Sequence, residues 1–181
     1  MANQLNIVDE NDQIIGQESR TNIHQQGLLH QEVHVWIFKP NGEILFQKRS
    51  MSKDTYPGLL DASAGGHVEQ GESYQQAALK ELTEETGIEA QESDLKVITK
   101  MRRQSFDKIT KMTNNTFRAV YAYRFDETKD KLVLEEGKAL SLEWWPISTI
   151  LAIPKEQRPK FIPSMFSDWY IKIFHKIKDL L

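Results

Sequence analysis

The sequence predicts a mixed α/β (α+β) protein that forms one domain. Segments in which apolar and polar residues alternate predict strands in the first half, and a capped helix follows them at residues 73–87. A last segment with apolar residues at helical spacing predicts a C-terminal helix over about residues 163–181. The chain has 181 residues and shows no internal repeat or low-complexity tract, so we expect a single domain over residues 1–181.

The predicted strands are short and are separated by turn residues. Runs at 5–8 and 13–15 predict an N-terminal β-hairpin around Asn11-Asp12. A second hairpin is predicted around Asn41-Gly42, a dipeptide that favours tight turns, between the runs 33–38 and 44–46. Residues 50–58 are expected to form a loop and residues 59–66 a strand. Further strands are predicted at 95–101, 116–125 and 140–145, and the connection at 154–163 carries prolines.

Two sequence features delimit the central helix. Ser73 and Gln76 have the spacing of a capping box, in which each side chain bonds the backbone of the other residue. Gly87 follows the last residue of the periodic pattern, which is a common position for the end of a helix. The helix is therefore expected to begin just after Ser73 and to end at Gly87.

Three glutamates of this helix lie three or four residues apart and share one face: Glu81, Glu84 and Glu85. Clustered carboxylates repel one another unless a cation neutralises them, and Mg²⁺ prefers oxygen ligands. Such an ion would join the carboxylates to substrate phosphates and assist attack by water, and a carboxylate left free could accept the proton of that water. A Glu-rich face that is simply solvated is the alternative, and the three glutamates alone favour it.

The flanking residues reverse that preference. Residues 66–88 resemble the Nudix box, G-x5-E-x7-R-E-U-x-E-E-x-G-U, in which U is a bulky apolar residue. The motif positions are occupied by Gly66, Glu72, Glu81, Leu82, Glu84, Glu85, Gly87 and Ile88. Lys80 stands where the motif has Arg, a change that keeps the charge but loses the bidentate fork of the guanidinium group.

The resemblance implies a Nudix-like α/β/α sandwich around a mixed β-sheet, with the box as a loop–helix–loop. It also implies a hydrolase that uses Mg²⁺, or Mn²⁺, to cleave a diphosphate linkage in a nucleoside diphosphate-linked or similar small molecule. By motif position, Glu81 and Glu85 are the main metal ligands, Glu84 is a ligand or the catalytic base, and the carbonyl of Gly65 is a further ligand. Glu72 supports this cluster and completes the implied catalytic set with Glu81 and Glu84.

Upstream residues are similar to isopentenyl diphosphate isomerase and equally to the bacterial hydrolases related to it. The similarity rests on residues 29–30, 35–38, 48–49, 52–53, 56–58 and 66–67. The isomerase has a catalytic cysteine directly before its Gly-His pair, where this chain has Gly65, and the sequence contains no cysteine. Two metal-binding glutamates of the isomerase correspond to Asn114 and Thr116. These departures favour hydrolysis over isomerisation.

The same resemblance implies roles for basic and imidazole side chains. Arg49 and Lys53 match diphosphate-binding positions, and together with Lys80 they are predicted to bind substrate phosphates. Three histidines match metal-binding histidines of the isomerase: His24, His30 and His67. They either form a second metal site or are structural histidines. The structural interpretation is favoured because the partner carboxylates are missing and neutral imidazoles alone bind Mg²⁺ poorly.

The sequence leaves the catalytic base and the substrate open. Related hydrolases often carry a glutamate six residues before the tryptophan that matches Trp144. That position is Lys138 here, with Glu135 and Glu136 close by. Substrate specificity is expected to depend on loops such as 104–113 and 152–161.

Charge and composition limit the partners. The formal net charge of −3 gives no broad attraction to nucleic acid or to an anionic membrane, so the expected partner is a small-molecule diphosphate. Residues 1–10 lack a secretory pattern, and no stretch approaches the ~18 apolar residues of a membrane span. We therefore expect a cytoplasmic protein, with a homodimer if the N-terminal hairpin or the last helix exposes apolar surface. The alternatives are a non-catalytic nucleotide-binding Nudix-fold protein and, less favoured, a prenyl diphosphate isomerase.

Overall fold

The computed structural model describes residues 4–134 and 137–181 and confirms the mixed α/β architecture. Within these residues one mixed sheet contains the strands β1 (Gln4–Val8), β2 (Ile14–Ser19), β3 (Leu29–Phe38), β4 (Glu43–Arg49), β5 (Leu60–Asp61), β6 (Ala64–His67), β7 (Leu95–Phe106), β8 (Thr113–Arg124) and β9 (Ala139–Pro146). The helices are α1 (Arg20–Gln26), α2 (Tyr74–Thr86), α3 (Ile147–Leu151) and α4 (Asp168–Lys178). Buried apolar clusters on both faces of the sheet make the fold an α/β/α sandwich.

The long strand β3 organises the sheet. It runs parallel to β8, from Leu29 opposite Asn115 to Phe38 opposite Arg124. It is antiparallel to β1, β4 and β6. β7 pairs with the outer side of β8, and β9 pairs with β4. On one face of β3, Val33 and Val35 contact the cluster that includes α2, whereas Trp36 on the other face contacts the cluster that includes α4.

The predicted hairpin at Asn41-Gly42 is present, but its two strands separate almost at once. β3 and β4 pair only at Phe38 and Ile44. Beyond this point β6 pairs with β3, and β5 pairs with β4. The Ser63 hydroxyl joins the diverging strands, because it accepts from the Ile37 amide at 2.9 Å and donates to the Leu45 carbonyl at 2.6 Å. The segment 59–66, predicted as one strand, is therefore two short strands with Ser63 between them.

The central helix is confirmed at both ends. The Ser73 hydroxyl accepts from the Gln76 amide at 3.2 Å, and the Gln76 side chain accepts from the Ser73 amide at 2.9 Å. Gly87 ends α2 in the left-handed conformation, with φ 73°. Three apolar side chains of α2 are fully buried against the sheet: Ala77, Ala78 and Leu82. The opposite side of the helix carries the glutamates.

The predicted C-terminal helix is shorter than residues 163–181. Residues 163–166 form a 3-10 turn, and α4 begins only after Ser167, whose extended conformation (φ −71°, ψ 155°) separates the two segments. As expected, α4 packs its aromatic face on the core, with Phe174 edge-on to Trp36 at 5.1 Å between ring centroids. No helix in the described part of the chain has the length and apolar character needed to cross a membrane.

Two helices and several strand ends were not predicted. α1 has one buried side chain, Ile23, so it shows no apolar periodicity, although Ser19 caps it and Gly27 ends it with φ 65°. β7 extends to Phe106 through a largely polar and exposed segment, and β8 begins at Thr113. Only residues 107–112 of the expected specificity loop 104–113 therefore connect strands.

The N-terminal hairpin is attached to the rest of the fold through Asp12. This turn residue has φ 63°, and its side chain is 8% exposed. Its carboxylate accepts from Gln31 Nε2 at 2.8 Å and from Tyr74 Oη at 2.9 Å, and it lies 2.6 Å from Lys100 Nζ. Tyr74 is the first residue of α2, so one carboxylate connects the hairpin turn to the start of the glutamate-bearing helix.

We predict that Asp12→Gly lowers the free energy of unfolding by roughly 1–3 kcal/mol, because two buried donors lose their acceptor. Glycine accepts the positive φ without strain, so the loss reports the hydrogen bonds. Urea-induced unfolding is the measurement. Gln13→Ala, at an exposed position in the same hairpin, is the control and should change the free energy by less than about 0.5 kcal/mol. Equal stability of the two variants would contradict the role assigned to Asp12.

Candidate active site

A cleft of about 820 Å³ opens where β3 and β4 separate. Its walls are formed by β6, α2, the loop 50–58, the β7–β8 hairpin and the start of α4. Residues 105–107, 110 and 112 of the hairpin line it, so part of the expected specificity loop does face this cleft. The polar ends of several elements meet here because the sheet is incomplete between β3 and β4.

The three helix glutamates all line this cleft: Glu81, Glu84 and Glu85. Glu85 is buried, and its Oε2 accepts from the Gly65 amide at 3.0 Å and from Gln47 Nε2 at 3.2 Å. Glu81 is partly buried, whereas Glu84 is exposed. One carboxylate is thus fixed by hydrogen bonds, and its neighbours are open to a ligand.

The electrostatics of this group favour a cation. Burial raises the pKa of Glu81 to about 7, and the charges of Glu85 and Glu84 contribute to that rise. Burial also raises the pKa of Glu85, against the lowering effect of the Gly65 amide. These raised values show that the described positive charges do not fully compensate the carboxylates. Hard carboxylate oxygens on a cleft wall fit a divalent ion such as Mg²⁺.

Two glycines determine the shape of this wall. A Cβ atom on Gly66 would overlap the carboxylate of Glu81, so only glycine leaves that side chain its place. A Cβ atom on Gly65 would lie 2.8 Å from the Val33 carbonyl oxygen and 2.9 Å from the His34 ring. The backbone of β6 can therefore approach the glutamates closely because it carries no side chains at these two positions.

Glu72 and Lys80 lie together, outside the residues that line the cleft. Lys80 Nζ is 2.8 Å from Glu72 Oε1 and 3.5 Å from Glu69 Oε2. Glu72 also accepts from the Glu69 amide at 2.9 Å. These contacts hold the loop that leads into α2, and the catalytic role of Glu72 and the phosphate-binding role of Lys80 stay predictions.

Arg49 and Lys53 line the cleft, as expected for phosphate-binding residues. Arg49 Nη1 donates to Asp61 at 2.8 Å, and Arg49 Nε donates to the Thr55 carbonyl at 3.0 Å. The charge of Lys53 lowers the pKa of Glu85, so this lysine lies within electrostatic reach of the carboxylates. The positions suit contacts with phosphate, and the contacts themselves stay a prediction.

The structure does not identify a single catalytic base. Lys138 lines the cleft, with Nζ 3.8 Å from Glu84 Oε2. Its charge lowers the pKa values of Glu81 and Glu85. Glu135 and Glu136, the acidic residues near Lys138 in sequence, lie outside the described residues. Glu84 is the exposed carboxylate of the three, which is the property needed to accept a proton from water.

The three histidines form a compact cluster: His24, His30 and His67. Their ligand atoms all lie within 4.8 Å of one another, close enough to hold a metal ion. The Nε2 atoms of His30 and His67 are buried without a hydrogen-bond partner. Burial and the neighbouring His30 lower the pKa of His67 to about 3, so its ring is neutral near pH 7.

Among the described residues, the metal-binding geometry of this cluster includes no carboxylate. Asn114 Nδ2 donates to Glu32 at 3.2 Å and Thr116 Oγ1 donates to Glu32 at 2.6 Å. Glu32 in turn accepts from Arg118 Nε at 2.5 Å. Burial alone would raise the pKa of Glu32, but the charge of Arg118 holds it well below its ordinary value. This carboxylate is committed to an ion pair with a buried arginine.

Sequence reasoning missed several cleft residues that the structure brings together. Glu32 and Arg118 lie directly opposite each other on β3 and β8. A signal existed for Glu32, since it is the one acidic residue in a strand that is almost entirely buried. Gln47, which holds Glu85, is likewise a buried polar residue, directly after the apolar run of β4. Arg103 and Trp169 also line the cleft, and their meeting depends on tertiary structure alone.

Comparisons with known proteins agree with this geometry. The family model for the NUDIX domain matches residues 28–165. An uncharacterized Nudix hydrolase of Clostridium acetobutylicum is 33% identical over 141 residues, which cover 76% of this chain and 67% of that one. An isopentenyl-diphosphate Delta-isomerase of Serratia proteamaculans is 33% identical over 180 residues, which cover 99% of this chain and 92% of that one.

Other curated Nudix hydrolases match over about half of either chain. Among solved structures, a protein of Deinococcus radiodurans is similar with a TM-score of 0.64 and 26% identity, over 82% of this chain and 86% of that one. The strand–loop–helix of the box, its complete set of glutamates and the match to most of the chain lead to one assignment. The chain belongs to the Nudix family and is a Nudix-type hydrolase.

Proposed function

We propose that this hydrolase uses Mg²⁺, with Mn²⁺ as an alternative, to cleave the diphosphate linkage of a nucleoside diphosphate-linked or similar small molecule. The observation that carries the proposal is the wall of the cleft formed by α2 and β6. There Glu81, Glu84 and Glu85 face a space that a small molecule can enter. The raised pKa values of Glu81 and Glu85 are those of carboxylates that would gain stability from a bound cation.

Glu81, Glu85 and the Gly65 carbonyl would hold the ion, with Glu84 as a ligand or as the base. When bound, a divalent ion supplies Lewis-acid polarisation of the phosphoryl group. The Gly65 amide and Gln47 keep Glu85 in place through hydrogen bonds. Arg49 and Lys53 bind substrate phosphates from the opposite strand and loop. Glu84, exposed in the cleft, accepts the proton of the attacking water.

Isomerisation is disfavoured by the surroundings of Gly65. An acid at this position needs a side chain, and a Cβ atom there would meet the Val33 backbone, which cannot rotate away. A non-catalytic binding protein is the second alternative. It is disfavoured because every glutamate of the box is present and three of them face the cleft. A panel of diphosphates separates these functions, since each predicts a different product or none.

We extend the proposal to two further properties. Ile14 and Ile15 are 57% and 66% exposed on the edge strand β2, which supports a homodimer that covers this edge. The absence of cysteine supports a cytoplasmic location.

The histidine cluster is proposed as a second metal site, with structural histidines as the alternative. Neutral imidazoles suit Zn²⁺ better than Mg²⁺. The buried Nε2 atoms of His30 and His67, which lack a hydrogen-bond partner, support the metal site. A metal held here would differ in kind from one held by the glutamates.

The first prediction concerns the box glutamates. Glu84→Gln and Glu85→Gln should each be assayed for phosphate or nucleotide release from a panel of nucleoside diphosphate-linked compounds with Mg²⁺. We expect activity that requires the metal and that falls by roughly 10²-fold or more in at least one variant, as for loss of a catalytic carboxylate.

The matched control is Glu89→Gln, an exposed glutamate just beyond α2 that does not line the cleft. Its activity should equal that of the wild type. Unchanged turnover in both box variants would refute the mechanism. Absence of turnover with every compound, together with nucleotide binding, would favour the non-catalytic alternative.

The second prediction concerns Gly66. In Gly66→Ala the new methyl group takes the place of the Glu81 carboxylate, which must swing away. The free energy of unfolding should change little, because the displaced atoms are the end of a flexible side chain. Activity should fall by about 10²-fold, the scale of a small misplacement in an active site. In the control, Gly16→Ala, the nearest atom is 3.9 Å away, and full activity there with full activity in Gly66→Ala would contradict the placement of Glu81.

The third prediction concerns the histidines. Equilibrium dialysis of protein first treated with chelator should show Zn²⁺ binding near pH 7 that His67→Asn weakens and that His175→Asn, an exposed position on α4, leaves unchanged. Equal Zn²⁺ binding in all three proteins would support the structural interpretation of the cluster.

A further inference from the structure

Arg103 is a cation without a partner carboxylate in the cleft. Its guanidinium group lies 4.3 Å from the centroid of the Trp169 ring, a stacked cation–π contact. None of the ion pairs in the described part of the chain includes it. Its neighbour on the strand, Arg102, is by contrast paired with Glu10. The sequence alone does not distinguish these two arginines, but their surroundings do.

Two other arginines that line the cleft are paired with carboxylates, Arg118 with Glu32 and Arg49 with Asp61. Asp107 also lines the cleft, but its Oδ1 accepts from the Ile109 and Thr110 amides of its own turn. The charge of Arg103 is therefore in excess, and burial together with the nearby Arg118 lowers its pKa. A half-buried positive charge beside a second one is stabilised by an anion.

The ring that contacts Arg103 carries an unused polar group. The indole Nε1 atom of Trp169 is buried without a hydrogen-bond partner. Trp169 and Arg103 both line the cleft. A buried donor without an acceptor is costly unless a ligand or water satisfies it. The same wall thus offers a cation and an indole donor to one ligand group.

This wall is separate from the glutamates of α2. The strand order β6–β3–β8–β7 places three strand spacings, about 14 Å, between the strand of Gly65 and that of Arg103. The register adds four residues along the strands, about 13 Å, so the two residues lie roughly 19 Å apart. The charges that act on Arg103 are those of Arg118 and Glu32. Those that act on Glu81 and Glu85 include Lys80, Lys53 and Lys138. Because side chains reach several ångströms into the cleft, a ligand group on the order of 10 Å from the diphosphate would meet Arg103.

We propose that Arg103, stacked on Trp169, binds a second anionic group of the substrate, a phosphate or a carboxylate remote from the diphosphate. This inference rests on the proposed diphosphate hydrolysis and narrows the substrate to compounds that carry such a group. The planar guanidinium matches the paired oxygens of either anion, and its stacking on the indole fixes its orientation. Arg103 is a specificity residue in this scheme and takes no part in the chemical step.

The experiment compares matched pairs of diphosphates that differ only in the remote group. The probes are NADP⁺ with NAD⁺, coenzyme A with 3′-dephospho-coenzyme A, and UDP-glucuronic acid with UDP-glucose. Hydrolysis is measured as kcat/KM with Mg²⁺, and binding is measured separately by calorimetry. The proteins are the wild type, Arg103→Gln, Arg103→Lys and the control Arg102→Gln.

For at least one pair, the wild type should prefer the member with the extra anion by about 10- to 100-fold, the effect of a charged hydrogen bond. Arg103→Gln should remove this preference through KM and leave kcat and the other member of the pair unchanged. Arg103→Lys should restore part of it, and Arg102→Gln should keep all of it.

Three outcomes would overturn the inference: no preference in any pair, a preference that survives Arg103→Gln, or an equal loss for both members of a pair. Failure of the proposed hydrolysis is a different result, since the wild type would then hydrolyse none of the probes. Calorimetry would still show whether binding of the anionic member depends on Arg103, so the two failures are distinguishable.

Discussion

The separation of β3 from β4 is the constraint on which the rest of the site depends. The two strands share one pair of residues and then diverge, and the Ser63 hydroxyl bridges the gap with one accepted and one donated hydrogen bond. The short strand β6 fits beside β3 because Gly65 carries no side chain, and the absence of one at Gly66 leaves room for the Glu81 carboxylate. Through this gap the carboxylates of α2 face the cleft. A continuous β3–β4 ladder would close it.

Charge is distributed unevenly along this gap. On the α2 wall, burial raises the pKa of Glu81 and of Glu85, and the neighbouring glutamates add to the rise at Glu81. The wall formed by β7, β8 and α4 holds arginines, of which one is neutralised by Glu32 and one is not. An elongated anionic ligand that binds a metal cation at one end would compensate the charges of both walls. The same folded framework therefore supports metal chemistry at one end and recognition at the other.

The local signals in the sequence predicted the elements that are governed by neighbours along the chain. Ser73, Gln76 and Gly87 define α2 because capping depends on residues within one turn. The spacing of the glutamates along a helix predicted which three share a face, and all three line the cleft. The prediction of one continuous strand over 59–66 was wrong because the Ser63 hydroxyl bonds the backbone of Leu45 and Ile37, which lie 18 and 26 residues away in the sequence.

What the sequence could not supply is the set of contacts between distant elements. α1 was not predicted because a single buried isoleucine gives no helical periodicity. The tertiary structure then brings His24 of this helix next to His30 and His67. Arg103 and Trp169 come from a strand and a helix 66 residues apart, and neither segment carries a motif. Glu32 was visible as the one acidic residue of β3, but its pairing with Arg118 required the parallel register of β3 and β8.

The crowding around Gly65 has an evolutionary consequence. A Cβ atom at this position would collide with the Val33 carbonyl oxygen, which belongs to the central strand and has no rotamer to change. A codon change that introduced a cysteine here would therefore require a shift of the backbone of β3 or β6. A single substitution at this codon is thus not enough to place a thiol at the base of the cleft, and this position resists gradual change.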